Sequence, residues 1–169
     1  MPCDSGSHFR LTQFASALLH ETMSTPIFEI VTSLRATIER AKSGNAGIKW
    51  LQRFPANCCN FAANLVLIEL SEAGGERLRR MLGTIRDDRG DDVATHVWVQ
   101  ADSLVVDIAA DQYKQPKVIV EHQSVWHHSL HDVKPFLPKS DLVEGVSETE
   151  IARLRELYDD VIRELAPFR

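Results

Sequence analysis

The chain carries, in order, the side chains that run thiol chemistry: adjacent cysteines at Cys58 and Cys59, a histidine at His96 and an aspartate at Asp107. A thiolate attacks carbonyl carbon, an imidazole handles the proton, and a carboxylate beside the imidazole holds one ring nitrogen protonated and leaves the other as a base. Whether the last two meet depends on the segment that carries them, THVWVQADSLVVDIAADQY from Thr95 to Tyr113. Val97 and Val99 alternate with His96, Trp98 and Gln100. Leu104, Val106 and Ile108 alternate with Ser103, Val105 and Asp107, which predicts a hairpin with one aliphatic face. A turn at Ala101 and Asp102 makes His96 and Asp107 direct cross-strand neighbours, with Cβ atoms ~5 Å apart. A turn at Asp102 and Ser103 makes them diagonal neighbours on the same face. A three-residue turn without a bulge would mix the two faces, against the aliphatic alternation.

The cysteines follow a loop, IKWLQRFPAN over 48–57, and begin an apolar run, NFAANLVLIEL, that predicts a helix to Glu72 stopped by Gly74 and Gly75. A cysteine at a helix N-terminus meets aligned backbone dipoles and free N–H groups, which lower a thiol's pKa and offer donors to an oxyanion. The helix is apolar nearly all round, so it is expected to run through the core and hold the cysteine rigidly. Adjacent cysteines taken alone are more often small buried hydrophobes, and a lone strand histidine is more often a satisfied one. Asp107, however, interrupts the apolar run LVVDIA, where a carboxylate is costly unless paired or hydrogen-bonded. Order and shared face together favour a triad. Asp111 and Gln112 are expected to cap or brace the turn after the strand.

The remaining chain supplies the frame. Residues 1–8 are small and polar and read as disordered, and Phe9, Phe14, Leu18 and Leu19 suggest a short helix ending near Ser24. Thr25 as N-cap and Pro26 open a better-marked helix with Ile27, Ile30, Val31, Leu34, Ile38 and Ala41 on one face, closed by Gly44 and Gly47. Leu78 to Ile85 suits a strand or a helix end, DDRGDD over 87–92 is a turn-rich acidic loop, and Lys117 to Val120 is β-rich. Gln123 to His131 carries Trp126, His127, His128 and His131, and Pro135 and Pro138 mark a bend. Over 147–166, Ser147 and Glu150 form a capping box ahead of a buried stripe of Ile151, Leu154, Tyr158, Val161 and Leu165. The class expected is α+β: a central cysteine-bearing helix on a small antiparallel sheet that carries His96 and Asp107, with extra N- and C-terminal helices. One domain is expected over 9–169, with its core about 50–130.

Composition narrows the partners. The 169 residues are 44% hydrophobic and 25% charged, with a net charge of −5, ordinary for a globular chain and without general attraction to nucleic acid or an anionic membrane. Arg77, Arg79 and Arg80 form a local basic cluster that reads as a solvated face. No apolar run approaches ~20 residues, and the first residues lack the basic-then-apolar order of a signal peptide. The expected location is the cytoplasm, or export without a cleaved signal. Three cysteines do not suggest a disulfide framework. His122, His127, His128 and His131 invite a metal reading, but CxxC, HExxH and H-x-E with P-C-x-x-C are absent, as are phosphate-cradling glycine motifs, so neither metal nor cofactor is expected.

FPANCC at 54–59, HVWV at 96–99 and VVDIAADQY at 105–113 resemble the FP-x-x-x-C, HAW and DITADQF segments of a bacterial family of small papain-like proteins, within the circle of transglutaminase-like thiol enzymes. The resemblance covers roughly 52–128, and such proteins often carry a later Trp-His pair, here Trp126 and His127. It implies a papain-like fold with Cys59 as nucleophile, His96 as base and Asp107 as orienter. Asn60 and Phe61 stand where small and acidic residues are more usual, and Val97 where Ala is commoner, departures that bear on substrate preference. Cys58 competes for the nucleophile's role, since Gln52 lies six residues before it, the spacing of an oxyanion-hole glutamine in papain-type proteases. The implied activity is acyl transfer through a thioester on an amide or isopeptide of a protein or peptide substrate. Water as acceptor gives hydrolysis, an amine gives transamidation, and a glutamine substrate gives deamidation, as in a toxin-like effector. A non-catalytic binding module on the same fold is the alternative from another class. Trp50, Trp98 and Trp126 are candidates to line a groove for an extended chain, with core packing the expected role of at least one.

Overall fold

The computed structural model of the chain describes residues 26–44, 51–75, 77–136 and 148–169. Residues 1–8, the helix expected near 9–24, Thr25, Gly47, Trp50, Pro138 and Ser147 lie outside them. Helix α1 runs over 26–43, and its apolar spacing does what the sequence predicts: Val31, Leu34, Ile38 and Ala41 are buried, and Ile27 and Ile30 pack at the core margin. Helix α2, Cys59–Glu72, buries every residue from Ala62 to Ile68, as an all-round apolar helix must. It ends where Gly74 turns with φ 80° and the Gly75 N–H returns to the Leu70 carbonyl at 2.8 Å.

Leu78–Arg86 is strand β1, so the strand reading of that run holds and the helix-end reading does not. Strands β2 (Asp92–Ala101), β3 (Leu104–Asp107) and β4 (Ile119–Glu121) follow, then a single-turn helix α3 (Val125–His128), strand β5 (His131–Pro135) and helix α4 (Glu148–Leu165). The strands form one open sheet in the order β4-β3-β2-β1-β5, with every neighbouring pair antiparallel. The fold is α+β.

The β2–β3 hairpin selects between the two registers. Val99 pairs with Val106, Gln100 with Val105 and Ala101 with Leu104, so the turn is Asp102 and Ser103. The register that would set His96 directly opposite Asp107 does not form; carried one residue further, the observed one sets Trp98 opposite Asp107 and leaves His96 and Asp107 diagonal. Asp102 adopts the left-handed conformation with φ 55°, which a short polar side chain tolerates better than most. The predicted separation of faces is intact. Val97, Val99, Ala101, Leu104, Val106 and Ile108 join the main core beneath α1, α2 and α4, while Trp98, Val105, Ala110, Ile119 and Leu130 form a smaller cluster on the other side.

Gly83 of β1 is what makes that second face deep enough. It pairs with His96, and a Cβ there would lie 2.9 Å from Leu130 and 3.2 Å from Trp98. On the opposite side, Asn64 ties three elements together: its Nδ2 donates to the Tyr158 hydroxyl of α4 at 2.8 Å, and Arg80 Nη1 of β1 donates to its Oδ1 at 2.8 Å. Arg80 is thus buried, with Phe136 under its guanidinium, rather than part of a solvated basic face, whereas Arg77 and Arg79 are exposed. Of the predicted α4 stripe, Tyr158 and Leu165 are buried and Val161 packs against the core; Ile151 and Leu154 are outside the described side chains. Among the described residues no helix is long and apolar enough to cross a membrane.

Candidate active site

The chain from 51 to 58 delivers Cys59 to its place. Leu51–Arg53 is a short 3-10 turn with Leu51 buried, and Phe54 is buried beneath the Arg35 guanidinium, 4.5 Å from its ring centre. Lys42 Nζ donates to the Phe54 carbonyl at 2.6 Å, and the Asn57 N–H donates to Gln112 Oε1 at 3.1 Å. Held from both sides, the loop sets Cys58 at the N-cap and Cys59 at the first residue of α2. Cys58 is buried, its sulfur 3.2 Å from the Ala56 carbonyl, and burial together with the neighbouring Cys59 pushes its thiol up. Cys59 is half-buried and goes the other way. Burial opposes its ionisation, but the neighbouring His96 imidazole outweighs it, helped by the backbone of Val97 and Asn60, and the thiol is held below its ordinary pKa.

The part played by Val97 has a topological cause. Pairing of β2 with β3 stops at Val99 and Val106, and β3 then leaves the sheet into the bend at Ile108 and Ala109. The backbone of β2 at Val97 is therefore uncovered by its neighbour strand, and the thiolate uses it.

His96 is fully buried. Its Nε2 is 2.6 Å from Asp107 Oδ2, while Nδ1 has no hydrogen-bond partner among the described residues. Since a carboxylate only accepts, Nε2 carries the proton toward Asp107, and Nδ1 is the nitrogen left for the thiol. Burial would drive an imidazolium down, but Asp107 and Cys59 hold that of His96 up at about 9. Rings pack around it: Trp98 stacked at 6.2 Å, Tyr113 edge-on at 5.5 Å and Trp126 edge-on at 5.1 Å. Tyr113 and Trp126 stack on each other at 5.6 Å and are half-buried, so they form the wall between this imidazole and solvent.

Asp107 is buried and well supplied. Oδ1 accepts the Ala109 N–H at 2.8 Å, and Oδ2 accepts from His96 and also from His127 Nε2 at 3.0 Å. Burial opposes its charge, yet the two histidines hold the carboxyl well below the usual carboxylate range. The three groups have the composition of a metal site. Ligands around a tetrahedral ion at ~2.0–2.1 Å stand about 3.3 Å apart, whereas the Asp107 oxygen lies 2.6 and 3.0 Å from the two nitrogens. That is hydrogen-bond spacing, and both nitrogens are satisfied as donors to one carboxylate.

The bend after β3 is itself anchored. Arg35 Nη1 donates to the Ile108 carbonyl at 2.5 Å, and its guanidinium binds Asp111 with two contacts of 2.8 and 2.9 Å and Glu39 at 2.8 Å. Gln112 Nε2 donates to the Ala109 carbonyl at 2.9 Å. Asp111 and Gln112 thus brace the turn, as the sequence suggests, and Gln112 also reaches the cysteine loop.

The structure brings Cys59, His96 and Asp107 together and leaves Cys58 turned to the loop. Gln52 is exposed, and its side chain makes no hydrogen bond among the described residues. Trp98 is buried, which makes it packing rather than groove. His127 was legible only as half of a Trp-His pair and as one of several histidines. The signal that singles it out is SVWH at 124–127, a hydroxyl one helical turn before a histidine, together with a buried carboxylate that needs more donors than one imidazole offers. Comparison of the chain with family models, with curated proteins and with solved structures finds no match.

Proposed function

We propose that the protein is a cysteine acyl-transfer enzyme, with Cys59 as nucleophile, His96 as the proton carrier and Asp107 as the group that orients His96. One observation carries this reading: a buried imidazole hydrogen-bonded at one nitrogen to a buried carboxylate, with no partner on the other nitrogen among the described residues and a thiol of lowered pKa beside it. The lack of any match leaves the papain-like resemblance of the motifs as support by analogy only.

In the proposed reaction the Cys59 thiolate attacks the carbonyl carbon of an amide or isopeptide, an S–C bond forms, and the carbonyl π pair moves to oxygen. N–H groups in the first turn of α2 are the donors available to that oxygen. As the intermediate collapses the C–N bond breaks, and the Nδ1 proton of His96 passes to the leaving amine. Water then attacks the thioester and gives a proton back to His96, the S–C bond breaks, and acid product and ion pair are restored. An amine in place of water gives transamidation by the same steps. The substrate proposed is a protein or peptide, approached past Tyr113 and Trp126.

The test is the pH dependence of iodoacetamide labelling at each cysteine, read by peptide mass, in the parent, His96→Ala and Asp107→Ala proteins. Fast labelling at Cys59 near neutral pH that is lost with His96 supports the enzyme. Slow labelling of both cysteines in folded protein would replace it with a binding module.

A further inference from the structure

A catalytic carboxylate needs one imidazole, and Asp107 has two. His127 is buried on α3, and its Nε2 and the His96 Nε2 converge on the same oxygen, Asp107 Oδ2, at 3.0 and 2.6 Å. The far nitrogen of His127 is also engaged: Nδ1 lies 2.7 Å from the hydroxyl of Ser124, which is buried. Asp107 can only accept, so His127 presents Nε2–H to it. In that tautomer Nδ1 accepts, and the Ser124 hydroxyl donates to it. The chain Ser124 to His127 to Asp107 to His96 to Cys59 then runs with every proton direction fixed, apart from the one at His96 Nδ1 that the chemistry moves.

We propose that His127 is a positioning residue for the site: by donating to Asp107 Oδ2 in the tautomer set by Ser124, it holds the carboxylate on the His96 axis. This rests on the acyl-transfer reading and extends it to a fourth and a fifth residue. The geometry supports it in three ways. The Ala109 N–H occupies Oδ1, so one oxygen alone remains for both histidines, and the His127 bond fixes its direction. Ile119, which precedes α3, pairs with Asp107 across β3 and β4, so the backbone that carries α3 is registered to the carboxylate it serves. His127 also packs edge-on against Trp126 at 4.7 Å and near Trp98 at 4.8 Å, the same two rings that flank His96. Without the second donor the carboxylate is free to rotate toward other partners, its bond to His96 lengthens, and the imidazolium loses its fixed counter-charge. Among the described residues, the titratable groups that face this pair are Cys59 from α2, Tyr113 from the turn after β3 and His127 from α3.

The experiment measures Cys59 alkylation rate against pH for the parent, His127→Phe, His127→Gln and Ser124→Ala, with melting temperatures alongside. In His127→Phe the rate near neutral pH is expected to fall about tenfold, because the rising limb, held low by the His96 imidazolium, moves up by about one pH unit. His127→Gln keeps an N–H donor and is expected within about threefold of the parent; Ser124→Ala, which frees the other tautomer, is expected between the two. Profiles of folded His127→Phe and Ser124→Ala that superimpose on the parent, with only the melting temperature lowered, would overturn the proposal. Nitrogen-15 imidazole spectra of the parent settle the matter if His127→Phe fails to fold: an Nε2–H tautomer at His127 is expected, and Nδ1–H overturns it. If the parent itself shows no His96-dependent labelling of Cys59, it is the acyl-transfer reading that fails, a result distinguishable from either.

Discussion

Cys58 and Cys59 are adjacent in the chain and opposite in environment: one thiol is buried against the Ala56 carbonyl with its pKa raised, the other is half-buried beside His96 with its pKa lowered. The N-cap position turns one side chain back to its own loop, while the first helical position turns the next toward the sheet. Cys58→Ala is therefore expected to leave the labelling rate of Cys59 within about twofold and to cost about 1 kcal/mol of stability, the value of a small buried group. Cys59→Ala is expected to abolish rapid labelling and leave the melting temperature nearly unchanged. Residual fast alkylation in Cys59→Ala would move the nucleophile to Cys58.

The pH dependence follows from the ion pair. Labelling needs only the Cys59 thiolate and is expected to rise through the lowered thiol pKa; turnover needs the His96 proton as well and is expected to rise with it and decline through about 9. Stopped-flow alkylation from pH 4 to 10 measures the first limb and turnover the second; labelling that rises only near the pKa of a free thiol contradicts the pair.

Stability is linked to the same groups. The His96 pKa is raised on folding, so its contribution is complete below the unfolded value near 6.5 and is lost as pH rises through about 9, a change on the order of 3 kcal/mol. Asp107 is depressed on folding, so its contribution is complete above the unfolded value near 3.8 and is lost as pH falls below it. Cys59 is depressed on folding, so its contribution grows as pH rises toward the unfolded value near 9 and opposes the His96 loss in the parent; in Cys59→Ala, denaturant midpoints measured across pH 4 to 10 are expected to be greatest from about pH 5 to 6.5 and to decline from there. With His96→Gln added, the decline between pH 6.5 and 9 should largely vanish.

Asp107→Asn is nearly isosteric and still disruptive. Whichever way the amide lies, it gives up a carboxylate's capacity to accept from Ala109, His96 and His127 at once. A loss of about 3 kcal/mol in stability is expected, together with a fall in turnover of at least about a hundredfold. Urea melts and single-turnover assays read the two separately, and parent-like values in both would remove Asp107 from the site.

Arg35 holds the bend that follows Asp107, through the Ile108 carbonyl and a two-contact grip on Asp111. Arg35→Lys keeps the charge and loses the planar fork, so it is expected to recover little of the roughly 3 kcal/mol lost in Arg35→Met. Tyr158→Phe, which deprives Asn64 of a partner that touches none of Cys59, His96 and Asp107, serves as the control: about 1 kcal/mol less stable, with labelling of Cys59 unaltered.

Much of this arrangement was legible before the structure, for physical reasons that can be named. The α1 face and the all-round apolar α2 follow from periodicity, and the hairpin's two faces follow from strict alternation, which fixes sides whatever the turn. The turn itself was not legible, because Ala101–Asp102 and Asp102–Ser103 both keep His96 and Asp107 on one side and differ only in which residue takes the left-handed conformation. Arg80 escaped because charge predicts solvent, and its burial depends on Asn64, a polar residue inside an apolar helix. His127 escaped because a four-residue helix has no periodicity to read, and its approach to Asp107 depends on the pairing of β3 with β4, which local sequence does not encode.

Gly83 has a consequence for how this sequence can vary. Its missing side chain is room already taken, by Leu130 on one flank and Trp98 on the other, directly across from His96. A larger residue at 83 is tolerable only if 98 or 130 shrinks in the same lineage, so the three positions should drift together while each looks intolerant when changed alone. A double-mutant cycle of Gly83→Ala with Leu130→Val or Leu130→Ala would show it as non-additivity, the second change offsetting part of the first.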